Sequence, residues 1–124
     1  MALNFKYKGD LTCAMNVSDM DNASTWFQEK LGFKELFRHE EAGWCEVQSA
    51  VTGVSIGFSQ VENPEVSGGT TLVFGVEDIE GARKDLESKG VQFDGEIMEI
   101  PGLVKLTTFL DPDGHKFMFS QSLA

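Results

Sequence analysis

The chain has 124 residues, 41% hydrophobic and 24% charged, which is the balance of a single soluble globular domain able to bury about two-thirds of its unfolded surface. Its formal net charge of −10, from 20 acidic against 10 basic residues, opposes nucleic acid and anionic membrane as partners. No apolar run nears the ~20 residues of a membrane span, and the opening MALNFKYKGD lacks the apolar core of a secretory signal, so the expected compartment is the cytoplasm.

The first predicted element is a strand over 10–17. Cys13, Met15 and Val17 alternate to one face, and Thr12, Ala14 and Asn16 to the other. Asp19 then reads as an N-cap, because a carboxylate there takes an amide of the first helical turn and favours the helix dipole. The helix carries Met20, Ala23, Phe27 and Leu31 at helical spacing and ends at Gly32. Strands follow at 34–40, 44–50 and 54–60, divided by turns at Glu41-Ala42-Gly43 and Val51-Thr52-Gly53. In the last of these, Val54, Ile56 and Phe58 alternate with Ser55, Gly57 and Ser59.

A connector, VENPEVSGG (61–69), leads to a strand over 70–76, with Leu72, Phe74 and Val76 facing one way and Thr71, Val73 and Gly75 the other. Asp78 caps a second helix bearing Ile79, Ala82 and Leu86, which ends near Gly90. Strands at 92–100, 103–110 and 116–121 are separated by Pro101-Gly102 and by Asp111-Pro112-Asp113-Gly114. In the final strand Phe117 and Phe119 alternate with Met118 and Ser120.

One unit is therefore written twice. Val17, Asp19, Met20, Ala23, Phe27 and Gly32 recur as Val76, Asp78, Ile79, Ala82, Leu86 and Gly90, at a period of about 59 residues. The predicted class is α+β, a single domain over 1–124 made of two βαβββ modules, 10–60 and 70–121. Their curved mixed sheets are expected to surround a concave pocket. In each module the large apolar residues take the helix-packing face. The opposite face is small and mostly uncharged, a composition that suits the wall of a hollow better than a solvated surface.

The chemistry-bearing residues are few. Cys13 and Cys45 have neither a CxxC nor a zinc-ribbon spacing and read as reduced, buried thiols. His39 lies on the second strand and reads as a half-exposed strand histidine; a hairpin register that set it opposite Cys45 would be a start toward a metal site. His115 directly follows the Asp111–Gly114 turn, as a turn residue or a donor at a pocket rim. Glu46, between Cys45 and Val47, is the carboxylate that an inward orientation would make functional. The sequence has neither a nucleophile elbow with Ser/His/Asp order nor a GxGxxG after a strand.

Three stretches carry a family resemblance: VSDMDNASTWFQEKLGF, VEDIEGARKDLESKGV and FLDPDGHKFMFSQ. In this order, on a duplicated βαβββ background, they resemble the glyoxalase / bleomycin-resistance / extradiol-dioxygenase superfamily, also called vicinal oxygen chelate proteins. The resemblance implies the fold, and in the family's enzymes a metal held by His, Glu or Gln at four inward strand positions. Those positions fall here on Thr12, Gly57, Thr71 and Met118, which offer a divalent ion almost nothing. No metal and no other cofactor is therefore expected.

Two functions remain open. The first is a metal-free binding protein like the bleomycin-resistance branch, sequestering a cationic or aromatic compound such as an antibiotic. Its expected pocket is lined by Thr12, Ala14, Asn16 and Gly57 from the first module. Thr71, Val73 and Met118 come from the second. Trp26, Trp44 and Phe109, with Phe37, are the rings for a flat guest, and Glu46 is the charge for a cation. The second is an enzyme, a glyoxalase-like lyase or isomerase or a dioxygenase-like protein with a non-standard site and catalytic residues unassigned. Resemblance also implies a homodimer.

Overall fold

The computed structural model describes residue 4, residues 7–66 and residues 71–124. It divides into two compact units, Met1–Asn63 and Pro64–Ala124. Residues 67–69 of the connector, and residue 70 at the start of the strand expected over 70–76, lie outside the described residues.

The first unit runs β1 (Leu11–Val17), α1 (Met20–Leu31), β2 (Lys34–His39), β3 (Trp44–Gln48) and β4 (Val54–Gln60). Asp19 stands in extended backbone and accepts the amide of Asn22 at 3.0 Å. The amide of Met20, another orphan of the first turn, goes to Oε1 of Gln60 at 2.8 Å. Gly32 closes the helix at φ 75°, a left-handed conformation that a β-carbon disfavours. The sheet order is β1-β4-β3-β2, with β1 parallel to β4 and the other pairs antiparallel. The parallel pair is possible because α1 and the β2–β3 hairpin lie between its strands in sequence.

The helix face of this sheet is the core. Phe27 meets Phe58 with ring centroids 5.0 Å apart, and Val17, Cys45, Val47 and Ile56 are fully buried around them. Each such side chain is worth roughly 1.5–3 kcal/mol in removed apolar surface. At the β2 edge the same face turns polar. Glu35 accepts from Ser24 Oγ at 2.7 Å and from Arg38 Nη2 at 2.7 Å, and more weakly from Cys45 Sγ at 3.3 Å. Arg38 also pairs with Asp21 of α1 and with Glu40, so it ties the helix to the edge strand. Hydrogen bonds from Arg38, then Ser24, hold the Glu35 carboxyl down at about 2. Burial, reinforced by the Glu35 carboxylate, pushes the Cys45 thiol upward, as befits an unreactive core thiol.

The expected strands 34–40 and 44–50 are both shorter. Glu40–Ala42 coil into a 3₁₀ turn ended by Gly43. Beyond Gln48, the Ser49 hydroxyl donates to the carbonyl of Val54 at 2.5 Å and accepts the amide of Val51 at 3.0 Å, drawing the backbone out of the ladder. The 3₁₀ turn also sets the hairpin register. His39 faces Trp44, and Cys45 faces Arg38. The register that would set His39 opposite Cys45 does not form, and the two side chains take opposite faces of the sheet.

The second unit runs β5 (Leu72–Gly75), α2 (Ile79–Ser88), β6 (Gln92–Ile100), β7 (Val104–Leu110) and β8 (Lys116–Ser122), in sheet order β5-β8-β7-β6. Asp78 accepts the amide of Gly81 at 3.1 Å, and Gln121 Oε1 accepts that of Ile79 at 2.8 Å, the counterpart of Gln60. Phe109 is fully buried on the helix face, stacked on Phe117 at 5.7 Å and packed against Phe119 at 4.8 Å. This corrects its assignment to a pocket. The turn at 111–114 pairs Phe109 directly with Phe117, so both rings share the core side. His115 is buried within that turn. Its amide donates to Asp111 Oδ1 at 2.8 Å, and its Nδ1 lies 2.8 Å from Oδ2.

The Glu35 network predicts a pH signature. A depressed carboxyl pKa contributes stability that is fully present above its unfolded value of 4.5 and is lost as pH falls toward about 2. Urea midpoints of the native protein and Glu35→Gln are expected to differ most near neutrality and to converge through that window.

Candidate functional site

The face of the first sheet that points away from α1 gathers six of the sequence-predicted residues. Thr12, Ala14 and Asn16 on β1 align with Ser55, Gly57 and Ser59 on β4, and these with Gln48, Glu46 and Trp44 on β3. Register partners in a sheet point to the same side, so this one surface holds Thr12, Ala14, Asn16, Gly57, Glu46 and Trp44. Phe37 on β2 stands beside Glu46 and His39 beside Trp44, with Phe37 52% exposed.

A directed hydrogen-bond row crosses three strands here. Ser55 Oγ donates to Glu46 Oε2 at 2.6 Å. Having given its one proton away, Ser55 accepts at 3.2 Å from Thr12 Oγ1. From the other side Trp44 Nε1 donates to Glu46 Oε1 at 3.2 Å. Every proton in the row therefore points toward Glu46. The short Ser55–Glu46 bond has the length of a charge-assisted contact.

Trp44 keeps its place because Gly57 has no side chain. A β-carbon built on Gly57 would overlap Cζ2 and Cη2 of the indole, so the benzene half of the ring fills the space where that side chain would project. Gly57 itself is buried and Trp44 half-buried.

The remaining predicted residues are placed differently. In the second unit Val73 and Met118 are register partners on the face away from α2, beside Thr108 on β7, and Val73 is 49% exposed. Thr71 is exposed and precedes β5. Trp26 sits on α1, edge-on to Phe27 at 4.9 Å, and α1 packs on the helix face through Phe27. It is therefore on the other side of the sheet from Glu46, and its expected part in the same pocket is corrected. Phe109, as above, is core. Ser55 is the residue that strand parity exposes but side-chain chemistry does not single out. Its alternation with Val54 and Ile56 is the available signal.

A metal at Thr12, Gly57, Thr71 and Met118 does not fit these residues. The set supplies two hydroxyls, a thioether and no side chain at position 57, where the space is taken by aromatic carbon. Among the described residues, no group of three or more His, Cys, Asp and Glu is placed to hold an ion.

The Glyoxalase/Bleomycin resistance protein/Dioxygenase superfamily model matches residues 11–119. The chain is similar to YetH of Bacillus subtilis (strain 168), itself uncharacterized, at 30% identity over 118 residues, covering 89% of this chain and 95% of YetH. Among solved structures it is similar to the integron cassette protein HFX_CASS4 from the mobile metagenome of the Halifax Harbour sewage outfall. There the TM-score is 0.76 and the identity 26%, over 93% of this chain and 99% of that one. It is also similar in fold to TnmS3, an antibiotic binding protein from Streptomyces sp. CB03234, with TM-score 0.77 and 21% identity over 98% and 99% of the two chains.

The Gly57 seat gives a direct test in a Trp26→Phe background, where Trp44 alone reports. Gly57→Ala is expected to displace the indole, collapse its near-ultraviolet dichroism and destabilise the fold by about 1–3 kcal/mol. An unchanged Trp44 spectrum contradicts the seating.

Proposed function

We propose, from the premise that the chain belongs to the Glyoxalase/Bleomycin resistance protein/Dioxygenase superfamily, that it is a metal-free small-molecule-binding protein that sequesters an aromatic or cationic compound, such as an antibiotic, without transforming it. The observation that carries this reading is the open face of the first sheet. Its β1 and β4 strands present small residues, β3 presents a single carboxylate, Glu46, fixed by neighbouring donors beside an indole, and the one lysine, Lys34, stands at the β2 edge in register with Gln48. Small side chains leave room for a guest, the ring offers stacking, and the carboxylate offers charge. The acidic balance of the chain, −10, raises the local concentration of a cation.

Metal-assisted enolisation or oxygen chemistry needs an ion as Lewis acid, and the four positions that resemblance assigns to it lack suitable donors, so an enzymatic alternative would have to be metal-independent. TnmS3, similar in fold, is an antibiotic binding protein, which supports a binding role on this scaffold. We further propose a cytoplasmic homodimer.

Metal analysis of protein purified without chelator is expected to find no stoichiometric transition metal, whereas one tightly held Zn, Ni, Mn or Fe per chain overturns the reading. Light scattering at micromolar concentration is expected to give the mass of two chains; a monomer mass removes the dimer.

A further inference from the structure

We propose that Trp44 is the specificity-determining residue of this face, and that its ligand class is a flat aromatic ring carrying an N–H, O–H or protonated amine donor on its rim. The inference rests on the reading of the protein as a small-molecule binder and goes further by naming the contact. It starts from the seat of the indole at Gly57. Where resemblance places a ligating side chain, this chain has glycine, and the space belongs to the benzene half of the Trp44 indole. At this point of β4 the sheet therefore presents a π surface.

The indole is held from two sides. Beneath it Gly57 accepts the ring without a clash, and at its pyrrole edge Nε1 donates to Glu46 Oε1. A ring fixed in this way loses little freedom when a second ring stacks on it, which favours affinity. Phe37, exposed and in register with Glu46, adds an aromatic surface on the neighbouring strand.

The donor preference follows from the direction of the hydrogen-bond row. Thr12, Ser55 and Trp44 all send protons toward Glu46, and the two bonds that reach it occupy about half of the roughly four acceptor sites of a carboxylate. The sites left over accept, so the matching group on a ligand is a donor. A ligand with only acceptors at its rim meets a like-signed edge. Glu46 selects donor from acceptor, and Trp44 selects flat from globular.

Three probes separate these contributions by tryptophan fluorescence and calorimetry: 4-aminoquinoline, flat, rich in N–H donors and cationic near neutral pH; 4-methylquinoline, flat, neutral and without a donor; and cyclohexylamine, a charged donor without a plane that controls for charge alone. The expected result is 4-aminoquinoline bound in roughly the tens-of-micromolar range, about tenfold or more tighter than either of the others. Trp44→Leu is expected to weaken 4-aminoquinoline by about tenfold. Trp44→Phe, which keeps a ring, recovers part of that loss and guards against a folding defect. Glu46→Gln is expected to weaken 4-aminoquinoline by a clearly larger factor than 4-methylquinoline, which meets Glu46 only through the indole it holds. Binding of all three probes with equal affinity, or full affinity in Trp44→Leu, overturns this inference and leaves the binding function standing. Failure of every probe to bind at millimolar concentration removes the binding function and this inference with it.

Discussion

At position 57, in the middle of β4, the backbone carries no side chain, and the indole of Trp44 from the adjacent strand stands in the space this leaves. A glycine in a strand weakens it unless another group makes use of the gap. Here the group is an aromatic ring whose N–H is then within reach of Glu46, and Glu46 in turn accepts a hydrogen bond from Ser55, which accepts one from Thr12. Fill the gap with a β-carbon and the ring has to leave; move the ring and Glu46 loses one of its two protein donors. The chemistry of the whole face follows from one missing substituent.

The scaffold beneath that face is built the same way twice, while the faces are not. Both helices begin on an aspartate cap and give their next free amide to a glutamine at the end of the last strand, Gln60 in one unit and Gln121 in the other. The helix sides are mainly apolar in both, with polar contacts at Glu35 with Ser24 and Arg38 in one and at Thr107 with Arg83 in the other. Away from the helices, the first sheet carries Thr12, Ser55, Glu46 and Trp44, whereas the second carries Val73, Met118 and, toward its β6 edge, the exposed Met98 and Ile100. Duplication kept the interactions that fold each unit, and the open faces have diverged in chemistry. A fold can therefore be shared across a superfamily without the site being shared.

Strand parity alone makes much of this arrangement legible in the amino-acid sequence. The alternation of Cys13, Met15 and Val17 with Thr12, Ala14 and Asn16 sorts core from open face, and the same rule places Glu46 opposite Cys45. What parity does not supply is register. Phe109 is apolar and on a strand, and only its pairing with Phe117 across the 111–114 turn shows which side it takes. His39 and Cys45 depend on the length of a hairpin loop, which a 3₁₀ turn fixes at a value the residues alone leave open. Trp26 follows Phe27's helix to the far side of the sheet. The Gly57–Trp44 contact is hidden for a similar reason, since it joins residues thirteen apart in sequence that are brought close by one antiparallel pair.

A crystal structure grown with 4-aminoquinoline and a nickel salt together distinguishes a ring from an ion beside Gly57. The quinoline ring is expected against Trp44, with its amino group toward Glu46 and no anomalous density beside Thr12 and Gly57. A nickel ion there, with the indole swung away from Gly57, would contradict it.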